Sequence, residues 1–240
     1  MYKGIYVALS GALLKQRELD VVTNNLANAS TVGYKKSLFS ARLYQVTEGS
    51  PFPSPSLYPA GRGMSYLGSF SIDPSEGPIR ETGNPLDLAI RGEGFFRVSD
   101  GKGTYFTRNG QCEISPEGFL VTSSGMRVLD ESGNPISLPE GQVQVAPDGS
   151  ISVDGNLVGR IGIYRVEGIR HVRDSLFAGQ EAGRASGEVV QGALEFPNVS
   201  PVMEMVNVIR ALREFDVAQR MIRSMDELSH RAVSEIARVR

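Results

Sequence analysis

His171 and His230 are the chain's two imidazoles and Cys112 its one thiol. A structural zinc site takes four ligands drawn mainly from these types, and one cysteine cannot close an internal disulfide. The histidines lie far apart in sequence, with no Ser or Cys in a recognisable nucleophile setting, and the carboxylates are scattered without a paired motif for acid–base work. Gly92-Glu93-Gly94 starts like a dinucleotide fingerprint, but Arg97 occupies the third glycine position and the stretch runs into a strand pattern instead of a helix. Its glycines suit a tight backbone approach ahead of buried Phe95 and Phe96. Cys112, in a strand-like run, reads as a small buried apolar side chain. No catalytic, cofactor-binding or metal-binding set is expected, and an enzyme is disfavoured.

The most concentrated polar chemistry is Asn24-Asn25-Leu26-Ala27-Asn28, followed by Thr31-Val32-Gly33-Tyr34-Lys35. Three asparagines in five residues make a poor helix interior, so a helix should end here. Asn24 and Asn28 share a face at i,i+4 and offer amide donors and acceptors, while Gly33 can take a positive-φ turn. One reading is a simple C-terminal cap; the other is a polar clamp between neighbouring subunits.

The element leading to these asparagines is a helix from Ile5 to about Asn28. Ile5, Leu9, Ala12, Leu19 and Leu26 follow the 4-3 steps of a heptad seam, with Gln16 and Thr23 between, and Val7, Leu14 and Val21 form a second stripe. Two stripes suit either a core helix or one wedged among several helices of an assembly. Lys3 and the apolar run Ile5 to Leu14 imitate a secretory signal, but no small-x-small cleavage site follows and the spacing continues to Leu26, so a retained helix is expected. At the other end Ser200 can cap a helix, Pro201 suits its first position and Glu204 its positive first turn. No Gly or Pro interrupts the run to Arg240. At about 1.5 Å per residue this rod reaches roughly 60 Å, longer than a small domain is wide. Met205, Val208, Leu212, Phe215 and Ile222 form one stripe, and Val202, Val206, Val217, Met221 and Leu228 another; Ile209 lies between them. Asp216 with Arg220 and Glu227 with Arg231 have the favourable acid-then-base order.

Between the helices, Thr47 to Ser56 carries three prolines, which resist helix and central strand, so an extended arm or linker is expected over about 46 to 64. From Gly92 to about Val166, short apolar runs alternate with turn sequences. Phe95–Val98, Tyr105–Arg108, Phe119–Thr122, Met126–Leu129 and Ile151–Val153 recur at the spacing of an antiparallel sandwich or barrel. Gly 27 and Pro 13 among 240 residues are too many for an all-helical bundle. The fold class expected is α+β, with N- and C-terminal helices packing as a coiled coil and a central all-β domain. The division expected is 1–34 with 199–240 as a helical assembly domain, 35–70 as an arm, and 71–198 as the β domain. Charge follows these parts: residues 1–45 hold six Lys/Arg against two acids, 46–196 hold 12 against 19, and 197–240 hold seven against six. The net charge of −2 disfavours nucleic acid as a partner, and no apolar run is long enough for membrane insertion.

Four separated motifs carry a resemblance. Asn24–Asn28 with Thr31-x-Gly33-Tyr34-Lys35 resembles the axial proteins of the bacterial flagellum, the rod and hook family. Leu86-Asp87-Leu88-Ala89-Ile90-Arg91-Gly92-Glu93-Gly94-Phe95-Phe96, with Tyr105–Gly110 and Gly118–Thr122, is similar to that family's central signature. Gly192-Ala193-Leu194-Glu195-x-x-Asn198-Val199-Ser200, with Glu204-Met205, Arg213-Glu214-Phe215 and Asp226-Glu227, resembles its C-terminal motif. Phe196 and Pro197 stand where relatives more often have a small polar residue. The likeness covers nearly the whole chain in family order, and length and opening look most like the proximal-rod type, with the distal-rod type as rival.

The resemblance implies a structural subunit of a hollow helical drive shaft that crosses the periplasm and transmits torque. It implies partners among other copies of the chain, the neighbouring proximal-rod and distal-rod subunits and the flagellar type III export apparatus, with export free of a cleaved signal. Subunit contacts are expected at Ile5, Leu9, Leu14, Leu19, Asn24, Asn25, Leu26, Asn28, Gly33, Tyr34, Val206, Ile209, Leu212, Phe215 and Ile222. A surface fibre or adhesin with helical ends is the rival class, separated by its need for a cleavable signal. A carbohydrate-active β domain is another, and it would need acids clustered in a cleft.

Overall fold

A computed structural model describes residues 2–45 and 63–238. The proline-rich segment expected as an arm falls largely outside the described residues. In chain order the elements are helix α1 (Tyr2–Ala27), strands β1 (Ser37–Gln45), β2 (Gly63–Ile72), β3 (Ile79–Glu81), β4 (Leu88–Arg91), β5 (Phe95–Ser99), β6 (Thr104–Thr107), β7 (Cys112–Ile114), β8 (Leu120–Thr122), β9 (Arg127–Val128), β10 (Val143–Val145), β11 (Ser150–Val153), β12 (Asn156–Arg160), β13 (Ile163–Arg173), β14 (Leu176–Arg184), β15 (Glu188–Gln191) and β16 (Ala193–Glu195), and helix α2 (Pro201–Arg238). They group into two compact units: Met1–Leu26 with Ser37–Phe70 and Pro201–Arg240, and Ala27–Lys36 with Ser71–Ser200.

In the first unit the terminal helices pack together. The contact face of α2 follows a heptad, with Glu204 and Ala211 buried and Val208, Phe215 and Ile222 half-buried. On α1, Ala8 and Ala12 are buried while Leu19, Val22 and Leu26 are half-buried. Lys15 bridges the two helices through Glu214 at 2.5 Å and pairs within α1 with Glu18 at 2.8 Å. One edge of the α1 seam therefore keeps the expected register at Ala12, Leu19 and Leu26, while the other is displaced by one residue: Leu9, Gln16 and Thr23 are exposed, and Ala8, Lys15 and Val22 are more covered. Small side chains explain the shift, because alanines at the crossing let the helices approach more closely than leucines would. Beside the helices, β1 and β2 pair, with Phe39 and Phe70 ring centroids 5.8 Å apart.

The second unit is antiparallel and β throughout, and its largest sheet closes on itself without forming a clean barrel. β13 pairs with β14, β14 with β6, β6 with β5, and β5 again with β13, where Phe96 and Phe95 face Ile163 and Tyr164. Closure leaves those four strands without an open edge along the ring. Phe95, Phe106, Tyr164, Val166 and Phe177 make one buried cluster, and a larger cluster runs from Leu88 and Ile90 through Val98, Ile151 and Ile161 to Val189. Every strand-like run expected between Phe95 and Val153 overlaps a strand, and Cys112 is buried in β7 as expected. Burial pushes its thiol up to about 12.

Strand structure extends past the Gly92–Val166 window on both sides. The long β13–β14 hairpin was hidden because Gly168, Gly179 and Gly183 interrupt it, the second half of each strand is largely exposed, and register shifts break its alternation. β3 and β16 are three residues each, too short to leave a periodic signal.

Phe177 is fully buried, packed edge-on to Phe95 with centroids 5.5 Å apart. Phe177→Ala should cost about 3–5 kcal/mol, read as an earlier urea midpoint for the β unit with the far-ultraviolet helix signal retained.

Candidate functional site

A cleft in the β unit is lined by residues that include Asp73, Glu76, Glu93, Phe95, Arg108 and Arg165. Each of its acids has a partner. Asp73 accepts from the Ser75 amide at 2.9 Å, Glu76 from the Gly92 amide at 2.7 Å, and Glu93 pairs with Arg165 at 3.5 Å. Among the described residues no group of three His, Cys, Asp or Glu side chains could hold a metal ion. Gly94 lies at the cleft's edge at φ 124°, and a Cβ there would sit 2.3 Å from Ile163 Cγ2. This is the close approach expected of the Gly-Glu-Gly turn.

Against the cleft's inner wall lies a charge cluster that ties the segment after α1 to the strand before α2. Glu195, at the end of β16, accepts at Oε1 from Lys35 Nζ (2.7 Å) and the Gly77 amide (2.8 Å), and at Oε2 from Arg108 Nη1 (2.8 Å). Its backbone carbonyl accepts from the Gly33 amide at 2.9 Å. Lys35 also donates to the Ser75 carbonyl, and Arg108 donates to the carbonyls of Ile90 (3.2 Å) and Gly92 (2.7 Å). All three charged side chains are only 1% exposed. Two cations thus share one anion in the interior. Burial lowers the Lys35 pKa; the Glu195 carboxylate opposes this, and the Arg108 guanidinium adds to it.

The neighbouring residues hold the same segment. Tyr34, 1% exposed, stacks on His171 with centroids 4.9 Å apart, and His171 Nε2 lies 3.0 Å from the Lys35 carbonyl oxygen. Burial lowers the His171 pKa, and hydrogen bonds to the backbone of Lys35 and Asp174 pull the other way. Asn198 Oδ1 accepts from the Lys36 amide at 2.7 Å, while its Nδ2 donates to the carbonyls of Asp73 and Ser75. Gly33 takes φ 69°, and a Cβ there would fall 2.2 Å from the Asn109 backbone nitrogen. Within the helical unit, Asn25 grips Ser37 at both backbone atoms, each at 2.9 Å, as an amide can do with its donor and acceptor together.

The residues expected at subunit contacts divide into three sets. Asn25, Gly33 and Tyr34 are buried within the chain itself. Leu14, Leu19, Leu26, Asn28, Phe215 and Ile222 are half-buried, and Asn28 accepts from the Thr31 hydroxyl at 3.2 Å. Leu9, Asn24, Val206, Ile209 and Leu212 are exposed; for Ile5 only the backbone is described. The exposed set continues along α2 through Val202, Met203, Met205, Val217, Met221 and Leu228, each at least half exposed. α2 therefore keeps exposed apolar side chains on the sides that α1 does not cover, set among charged residues such as the Arg210–Glu214 and Arg220–Asp216 pairs.

The Lys35–Glu195–Arg108 cluster was not singled out in the sequence, although all three residues lie in the motifs quoted above. A signal was present: Glu195 follows Ala193 and Leu194 in a strand-like apolar run, and a carboxylate in such a place is rarely buried without a partner.

Glu195→Gln should leave two buried cations without their anion and cost about 3–5 kcal/mol of β-unit stability, measured by urea unfolding of the full chain. His171 offers a separate check by pH. As pH falls through the ordinary value of about 6.5, the unfolded chain takes up a proton before the folded one does. Stability should therefore decline from near pH 6.5 down to the lower folded pKa and then level. His171→Gln should remove that part of the pH dependence.

Three family models match the chain: "Flagella basal body rod protein" over residues 5–35, "Flagellar hook protein FlgE/F/G D1 domain" over 89–153, and "Flagellar basal body rod FlgEFG protein C-terminal" over 190–235. The chain is 33% identical to the flagellar basal-body rod protein FlgF of Caulobacter vibrioides, with all of both chains covered. It is 31% identical to FlgG of Bacillus subtilis, covering 98% of this chain and 99% of that one, and 32% identical to FlgF of Salmonella typhimurium, covering 97% of each. With matched segments at both helices and across the β unit, the chain belongs to the flagellar rod and hook family, as a structural axial subunit of the basal-body rod.

Proposed function

We propose that this chain is an FlgF-type rod subunit that polymerises with itself and with adjoining rod proteins into a hollow helical shaft carrying torque across the periplasm. The observation that carries this reading is the uncovered apolar surface of α2. α1 covers one face of α2, and the apolar side chains on the other sides, set among charged ones, lose their contact with water only against a further partner. Val206, Ile209 and Leu212 lie on the uncovered surface, each about half exposed. Covering them with helices of other copies through head-to-tail contacts that do not close produces a filament. In this reading the buried Glu195 cluster keeps the β unit fixed to its entering and leaving segments under load, and no chemical step is needed. The retained N-terminal helix fits export through the flagellar type III apparatus without cleavage. The FlgF assignment rests on the full-length match to an FlgF protein; FlgG proteins of similar identity make the distal-rod position the alternative.

Leu212→Asp provides the test. In the free chain an exposed site tolerates the change to within about 0.5 kcal/mol, whereas a carboxylate in a packed helical interface costs several kcal/mol, by order of magnitude. Cells carrying the variant should be non-motile with incomplete rods, while the purified chain unfolds at the wild-type urea concentration. Normal rods would show that Leu212 is not buried in the assembly. Complementation of strains lacking FlgF or FlgG decides between the two rod positions.

A further inference from the structure

Three of the side chains left uncovered on α2 are methionines. Met203 is 56% exposed, Met205 53% and Met221 50%, whereas Met126, in the core of the β unit, is 5% exposed. Met203 and Met221 are separated by about five helical turns and so lie on one line of the helix. Met205 lies on the opposite flank of the face that packs on α1. Both uncovered sides of α2 therefore carry an exposed methionine. A thioether is apolar and adaptable, which suits it to a helix interface, but its sulfoxide is polar and chiral and disrupts such packing.

We propose that Met203, Met205 and Met221 form a reversible oxidation site that controls whether α2 can enter the polymer, an inference that rests on the assembly role proposed above. The oxidant is a hydroperoxide. The sulfur lone pair attacks one peroxide oxygen, an S–O bond forms as the O–O bond breaks, and the departing hydroxide takes up the proton from the transferred oxygen. Hydrogen peroxide is reduced to water while the thioether is oxidised by two electrons to the sulfoxide. The sites are open before assembly and covered after it, so oxidation acts on the unassembled chain. A methionine sulfoxide reductase returns the thioether, two of its thiols giving up two electrons and two protons to become a disulfide as the oxygen leaves as water, and with it the ability to assemble.

Site-resolved mass spectrometry of the purified full-length chain treated with hydrogen peroxide comes first. Met203, Met205 and Met221 should oxidise well ahead of Met126, and equal rates would overturn the proposal. In cells building rods during peroxide exposure, the three sites should be roughly tenfold richer in sulfoxide in the unincorporated chain than in basal bodies, a ratio equal to about 1.4 kcal/mol of discrimination. Met203→Leu, Met205→Leu and Met221→Leu together keep the volume and apolarity of the surface. In that variant the ratio of incorporation with peroxide to incorporation without it should return to one, whereas in the wild type it falls. Incorporation of oxidised and reduced chain in equal proportion, or undiminished sensitivity in the leucine variant, would sink the oxidation site while leaving assembly intact. Absence of the untreated chain from basal bodies would instead overturn the assembly role itself.

Discussion

Glu195 places one carboxylate where the interior of the β unit would otherwise hold two unneutralised cations. Taking three charged groups out of water is expensive, and the arrangement persists because nearly every lone pair and proton has a partner: two side chains and a backbone amide on the carboxylate, backbone carbonyls on both cations. A buried ionic cluster of this kind contributes less to net stability than well-packed hydrocarbon would, but it tolerates few alternative geometries. Here it specifies where residues 33–35, following α1, lie against β16, preceding α2. The Asn198 amide reinforces the same segment at Lys36, and the Tyr34–His171 stack does so at its ring. Entry and exit of the chain are thereby fixed to each other within the β unit.

Much of the architecture was legible in the sequence because the relevant signals are local. Ser200-Pro201 with Glu204 located the start of α2, and the apolar runs between turn sequences located the strands that overlap Phe95–Val98, Tyr105–Arg108 and Ile151–Val153. One edge of the α1 seam, at Ala12, Leu19 and Leu26, was legible in register, and the other only to within one residue. Heptad spacing identifies an apolar stripe, but which edge of it faces a particular partner depends on that partner's side chains, here Ala211 and Glu214 of α2. The charge cluster was illegible for a stronger reason. Lys35, Arg108 and Glu195 are brought together across 160 residues of chain, and no spacing rule connects residues that meet only after the sheet has closed.

The asparagines after α1 show how a local reading can be divided by tertiary structure. Asn24, Asn25 and Asn28 were one candidate polar cluster, yet they do three different things. Asn25 is consumed in gripping Ser37, Asn28 accepts from the Thr31 hydroxyl in the turn that ends the helix, and Asn24 is exposed. Cap and clamp were posed as alternatives; the buried amide of Asn25 is a clamp, but one that acts inside its own chain.

The two units satisfy the hydrophobic effect on different terms. The β unit closes its strands around its own clusters, so its core is complete in a single chain. The helical unit has one shared face and long apolar flanks, and burial of those flanks scales with the number of other helices that reach them. In the assembly proposed above, its stability is therefore tied to subunit concentration, whereas that of the β unit is not. On that proposal the β half, complete in one chain, keeps its shape throughout, and the helical half adds stability with every further helix that covers its flanks.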